Sequence, residues 1–442
     1  MSDVSLAAPR GALTQHAAPR TGSYEPSYVW LLLAGLVFTM FTGYSDLMGL
    51  PIPLDRPLIA LAGLLWFLDP ARDRLRVRAF YVVAGATIVW TLLSWMSIWP
   101  NSDTQPAFAL LDRIIVPLLM FPLGAVIFST EHRRELLLRM LALMGIYTGF
   151  TALIEWGGPR WLLFPRYIAE TPIATDVFRP GGPWLSPEPV GMVSVLTLFA
   201  AGLLVYVSQQ WLWRIIGAVG VIFGMIGAVA CLTRSNWVAG ILAGLAIAAL
   251  VPRLRRRLVL IAVLFVIAGA VTLILLPEFR EQLLARLFTE RSLYDRQNTN
   301  AAAIRIIQQL PLFGIGWGQF IHENVLWVRQ ADTYPVTSVT IEVHNVFLAR
   351  AAETGILGAL LWGLCFITGP LLGLIAKPGT AWSRHWKLLG VAAFFVWIVP
   401  TMASPNPYLT PNYLVWLIWG IAARGILIDL PRRPAPLPAE AR

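Results

Sequence analysis

Arg234, Arg296 and His344 are the residues of this chain whose types and settings could do chemistry. Arg234 sits in "ACLTRSNWVAG", between two apolar runs with almost no loop. An arginine at that depth costs about 2.5–3.5 kcal/mol at a helix centre and less near the surface. Its planar guanidinium fork matches phosphate oxygens in pairs, which points to an anion site. A side chain that snorkels to the membrane surface is the plainer alternative. His344 opens "HNVFLARAAETGILG", just ahead of another apolar run, in a chain with five histidines. At helical spacing His344, Leu348, Ala351 and Gly355 share one face, and Glu353 lies on the opposite one. A direct His344–Glu353 dyad is therefore not expected; Glu353 is expected to accept bonds from neighbouring backbone or cations. Gly355 is predicted to end a short helix before the span proper begins. A histidine that anchors a helix end at the interface is the alternative for His344.

Two polar stretches carry further cations. In "RLFTERSLYDRQNTNAAAIRIIQQLPLFGIGWGQF" the arginines Arg286, Arg291, Arg296 and Arg305 make a basic run despite interspersed acids. Its middle, "NTNAAAIRIIQQL", predicts a helix stopped by Pro311. A solvated face is the plainer reading of any one of these arginines. "GIGWG", Gly314 to Gly318, follows a helix and a proline rather than a strand, so it predicts a tight turn and not a dinucleotide fingerprint. "FRPGGPWLSPEPVGM" holds Arg179 in a loop made rigid by prolines and glycines, with a purely structural lip as the alternative.

Metal and soluble-hydrolase chemistry fit poorly. "HENVL" offers His322 and Glu323 without a second histidine one turn on, and neither a G-x-S-x-G elbow nor a phosphate-binding P-loop occurs. Cys231 and Cys365 both fall in apolar runs, with no disulfide framework and no metal-ligand spacing. No metal and no cofactor is expected.

The elements that must position these residues follow from composition. Of 442 residues 57% are hydrophobic and 13% charged, against roughly 45–50% and about 25% in soluble domains. The excess recurs in runs long enough to cross a hydrocarbon core. The expected fold is all-α: a polytopic integral membrane protein with about twelve transmembrane helices and a long periplasmic loop between spans nine and ten. The spans are expected near 28–44, 54–68, 79–99, 107–128, 136–155, 189–207, 211–232, 235–252, 258–276, 355–376, 386–403 and 412–428. The second is short, and the fourth contains Asp112 and Arg113.

Every second connection is basic, as at Arg72 to Arg78, Arg133 and Arg134, Arg253 to Arg257, Lys377 to Lys387, and Arg432 and Arg433. Lys and Arg are retained on the cytoplasmic side, so both termini are expected there. The same pattern explains much of the formal charge of +10 and argues against a nucleic-acid partner. Residues 1–27, polar and lacking the apolar core of a signal peptide, are expected to be a disordered cytoplasmic tail. Transmembrane helices are expected over 28–276 and 355–428, a periplasmic catalytic loop with short helices over 277–354, and a second cytoplasmic tail over 429–442.

Together these residues resemble the O-antigen ligase family, which includes O-antigen and exopolysaccharide polymerases. The resemblance rests on "TRS" at Arg234, "DR" at Arg296, "PLFGIGWGQF" and "HNVFLARAAETGILG", the last similar to the family's H-N-x-x-L…E-x-G-x-x-G signature. "RPGGPWLSPEPVG" is similar to the family's loop before a span, with Pro187–Glu188 where Pro-Asn is usual. The resemblance implies transfer of a glycan, at the periplasmic face of the bacterial inner membrane, from a polyprenyl (undecaprenyl) diphosphate carrier to an acceptor hydroxyl. It implies that Arg234 and Arg296 hold the diphosphate, that His344 is the general base, and that transfer is metal-independent and inverting. Arg179, Arg305, Asn345 and Glu353 complete the expected substrate-binding set.

The expected partners are the polyprenyl diphosphate-linked glycan donor, a lipid A-core or growing polysaccharide acceptor, and the lipid bilayer. Ligase-type transfer to lipid A-core is the first expectation and polymerisation with the same donor the second. A small-anion transporter using Arg234 is a third. It is disfavoured because transporter sites usually lie near the midplane, whereas these residues gather at one surface.

Overall fold

In a hydrocarbon environment every backbone N–H and C=O must be satisfied within the protein, which selects helices for apolar spans. The structure, a computed structural model, describes residues 25–42, 49–97 except 51, 71, 74, 76 and 77, 105–170, 178–256 and 277–288. It also describes 291–328, 342–377 and 381–427, with isolated positions between 258 and 274. Among the described residues the chain is helical and contains no strand.

The helices are α1 (Ser27–Phe38), α2 (Asp55–Leu68), α3 (Ala79–Met96), α4 (Pro106–Ile127), α5 (Glu131–Gly157), α6 (Pro187–Val207) and α7 (Trp211–Ala230). There follow α8 (Arg234–Leu250), α9 (Pro277–Leu287), α10 (Arg291–Gln309), α11 (Phe320–Trp327), α12 (Val346–Phe366), α13 (Ala381–Thr401) and α14 (Leu409–Leu427).

Among the described residues six helices are long and apolar enough to cross a membrane: α3 to α7, and α12 with its continuation to Ile375. The chain is thus a multi-pass membrane protein. The other expected spans coincide with the shorter apolar helices α1 and α8, with α2, and with α13 and α14. The ninth, near 258–276, lies largely outside the described residues, as do residues 1–24 of the tail expected over 1–27, the tail expected over 429–442, and residues 329–341 of the long connection; Ser27 already begins α1.

Packing follows residue size. α7 buries Gly217, Gly220, Gly224 and Gly227, a stripe at spacings of three and four, against α5 and α6. Small residues let helices approach closely where lipid supplies no hydrophobic drive for association. α12, α13 and α14 meet through Trp362, Phe366, Trp397 and Trp419, with ring centroids 5.3–5.7 Å apart. Outside the spans, Ala302, Ala303 and Ile306 of α10 form a separate small core with Phe320, Val343 and Ala352. That core fixes α10 against the start of α12.

Candidate active site

The loop carrying Arg179 is held from several sides. The backbone N–H groups of Gly181 and Gly182 donate to the two carboxylate oxygens of Glu155, at 3.1 and 2.9 Å. Tyr167 donates to the Pro183 carbonyl at 2.7 Å, and the Trp184 indole donates to Thr410 Oγ1 at 2.9 Å. The Phe178 N–H reaches Gln282 of α9, and Trp156 meets both Phe178 and Phe279 edge to face. The loop is therefore tied to α9.

Arg234 is the first residue of α8, reached from α7 by a reversal of Cys231, Leu232 and Thr233 in which Leu232 takes φ +46°. Asn236, one half-turn on, donates to the Glu188 carbonyl at 2.9 Å and so joins the "TRSN" and "EPVG" segments. The Arg234 guanidinium reaches the Leu287 carbonyl at the end of α9, 3.4 Å away.

This architecture brings four guanidinium groups together: Arg179 from the loop, Arg234 from α8, Arg286 from α9 and Arg296 from α10. All four are half-buried. Burial, and then Arg179, Arg234 and Arg296, push the Arg286 pKa down to about 10. Burial lowers Arg179 and Arg296 as well; at Arg296 the Glu188 carboxylate opposes burial and Arg234, the weaker neighbour, adds to it. The Nε atoms of Arg179, Arg286 and Arg296 are buried without a hydrogen-bond partner among the described residues. Like charges gathered so closely, with donors unspent, form a place for a polyanion. The carboxylate in the cluster is Glu188, which accepts a 3.0 Å bond from Tyr408; Ser186 Oγ lies 3.2 Å from the same phenol oxygen.

His344 stands beside this cluster. Burial first, and the Arg296 charge second, hold its pKa below the ordinary imidazole value, with Glu342 opposing. Its Nδ1 lies 3.1 Å from the Glu342 carbonyl oxygen. Asn345 caps α12, its side-chain oxygen accepting from the N–H of Phe347 and Leu348.

Gly355 then breaks α12, with φ +72° and ψ 174°. Such a break frees carbonyls, and the "PLFGIGWG" turn takes them up. Ile315 donates to the Ala352 carbonyl and Gly316 to that of Glu353, both at 3.0 Å. Ser94 and Trp90 of α3 bind the Glu353 and Thr354 carbonyls, at 3.1 and 2.9 Å. The tight turn and the helix end expected from sequence are thus two halves of one structure.

Of the residues singled out from sequence, Arg179, Arg234, Arg296 and His344 come together. Arg305 instead donates to the Trp327 carbonyl, at 2.9 and 2.5 Å. Asn345 is engaged as the helix cap, and Glu353 pairs with Arg350 at 3.5 Å, while Arg350 lies over the Trp317 ring. Arg286 joins them although nothing local sets it apart within its basic run, and Glu188 stands out in sequence only as a departure from a motif. Tyr408 carries no local signal, since only tertiary packing brings it to the loop.

One cavity, about 490 Å³, is lined by Ser97, Gln309, Glu323 and Trp327 among others and by none of the clustered arginines. Among the described residues no three His, Cys, Asp or Glu side chains gather as a metal ion would need. No curated protein matches the chain. Residues 219–363, which run from within α7 into α12 and hold Arg234, Arg286, Arg296 and His344, match the family model described as O-Antigen ligase, and over that stretch the chain is similar to that family.

Proposed function

We propose that the protein transfers a glycan from a polyprenyl diphosphate carrier to an acceptor hydroxyl at the periplasmic face of the inner membrane, most readily as an O-antigen ligase acting on lipid A-core. The carrying observation is the convergence of Arg179, Arg234, Arg286 and Arg296, from four separate segments, beside His344. In the reaction the acceptor oxygen forms a bond to the anomeric carbon as the bond from that carbon to the diphosphate oxygen breaks. The electron pair leaves on the diphosphate, where fixed guanidinium groups stabilise the growing charge. The acceptor proton passes to His344, a contribution of typically 10²–10⁴-fold. Attack from the side opposite the diphosphate inverts the anomeric centre. Diphosphate is a good leaving group, so four cations suffice and the reaction is assigned no metal.

The basic connections support cytoplasmic termini, and with about twelve crossings the arginine cluster then faces the periplasm. Polymerisation uses the same donor chemistry and differs in the acceptor. The test is transfer by the purified protein in proteoliposomes, given a polyprenyl diphosphate-linked glycan and lipid A-core. Glycosylated lipid A-core with wild type and none with His344→Ala is expected. Chain growth without transfer to lipid A-core assigns polymerase, and release of polyprenyl diphosphate with neither acceptor rejects the proposal.

A further inference from the structure

α4 departs from regular helix at Leu111–Ile115, which form a π-turn. π-turns insert a residue and re-aim the side chains around them, often at functional sites. Here consecutive residues go to different partners. Asp112 accepts from Arg56 at 3.0 and 2.5 Å and from Tyr413 at 3.2 Å. Arg113 turns toward the segment before α12, where Nη1 and Nη2 donate to the two carboxylate oxygens of Glu342 at 3.1 and 2.7 Å.

Glu342 is the residue whose carbonyl meets His344 Nδ1, at 3.1 Å. A carbonyl oxygen has no proton to give, so this contact places the proton on Nδ1 and leaves the lone pair on Nε2. Asn345 fixes His344 from the helix side, and Glu342 fixes it from the other. The charged groups facing the imidazole are Arg296 and Glu342, with Arg113 behind Glu342. An isolated surface pair contributes little, but a two-point guanidinium–carboxylate grip also sets geometry.

We propose that Arg113 is the positioning residue for His344: it grips Glu342 and thereby holds the carbonyl that selects the tautomer with a basic Nε2. The assignment rests on His344 being the base of the proposed transfer. It gives a membrane-embedded charge on α4 a part in chemistry carried by the C-terminal half.

The experiment uses the full chain in lipid nanodiscs. ¹⁵N-histidine NMR, at a pH above the His344 titration, reads which ring nitrogen carries the proton, with His344→Gln assigning the signals. Wild type should show Nδ1–H, and Arg113→Met should show a mixture of tautomers. In glycan transfer Arg113→Met should lower kcat about a hundredfold while the donor KM stays within about threefold. A wild-type tautomer and a wild-type kcat in Arg113→Met overturn the proposal. Should that variant fail to fold, Glu342→Leu breaks the same grip from its more exposed side, with the same outcomes deciding. Full transfer by His344→Gln sinks the base reading instead, and the NMR comparison still decides whether Arg113 holds the ring.

Discussion

The backbone N–H of Ile356 donates to the carbonyl oxygen of Pro311, 2.8 Å away, across the break that Gly355 makes in α12. That bond closes a set in which one glycine-rich turn satisfies the backbone groups released by another. Unpaired backbone groups at membrane depth are expensive, so the two segments require each other. The start of α12, and with it the position of His344, is set by this union.

Gly355→Ala should therefore be among the most damaging single changes. Its φ of +72° suits glycine alone, and an added Cβ would run into the Leu312 carbonyl. Gly314, at φ +66°, faces the Ala352 carbonyl in the same way. Each substitution should lower stability by about 3 kcal/mol or more, since backbone strain and displacement of the facing segment add. Thermal unfolding in detergent, read by tryptophan fluorescence, would show it; an unchanged midpoint would mean that the turn does not plug the break.

Arg296 and Arg286 should both tolerate lysine poorly. Lysine keeps the charge but loses the planar two-point fork. Transfer by Arg296→Lys and by Arg286→Lys should fall at least about tenfold, with the Arg286 variant showing mainly a raised donor KM. Near-wild-type turnover in both would mean that point charges suffice.

The pH dependence has a definite sign. Burial and Arg296 hold the His344 pKa below 6.5, so the imidazole stays neutral, and able to accept a proton, to a lower pH than an ordinary histidine. The acid limb of kcat/KM should lie below that value. Replacing Arg296 by glutamine removes a positive neighbour, raises the pKa, and should move the limb to higher pH. The residual activity of Arg296→Gln, or an NMR titration of its histidines, measures the shift; a limb displaced downward contradicts the contact.

Glu155 should matter although it touches no substrate in this scheme. Its two oxygens hold the Gly181 and Gly182 N–H groups, and that loop carries Arg179. Glu155→Ala should leave insertion intact and raise the donor KM about tenfold, because supporting residues of this kind tune rather than build a site. An unchanged KM would mean that Tyr167 and Trp184 hold the loop unaided.

Much of the site was legible because chemistry needs particular side chains in unlikely places. Arg234 between two apolar runs and His344 before a third announce themselves by position alone. The helix over "NTNAAAIRIIQQL" and the turn after it follow from proline and glycine. What sequence could not show is pairing across distance. Asp112 and Arg113 made the fourth span look weak, yet both charges are answered, by Arg56 and Tyr413 on one side and Glu342 on the other. Sequence puts Arg305, and not Arg286, in the substrate-binding set, and only the fold shows Arg305 spent on the Trp327 carbonyl. Glu155 was hidden inside an apolar helix, where nothing local says that two glycine amides lie above it.

The reversal between α7 and α8 has one more consequence. Cys231, Leu232 and Thr233 alone separate two apolar helices, and Arg234 follows at once. No slack remains for the guanidinium to drift along the bilayer normal. This cation stays at the height where the two helices turn back, like a float fixed to the waterline, and in the proposed reaction a lipid-borne phosphate tethered at the headgroup plane would be met there without any search through the compartment beyond.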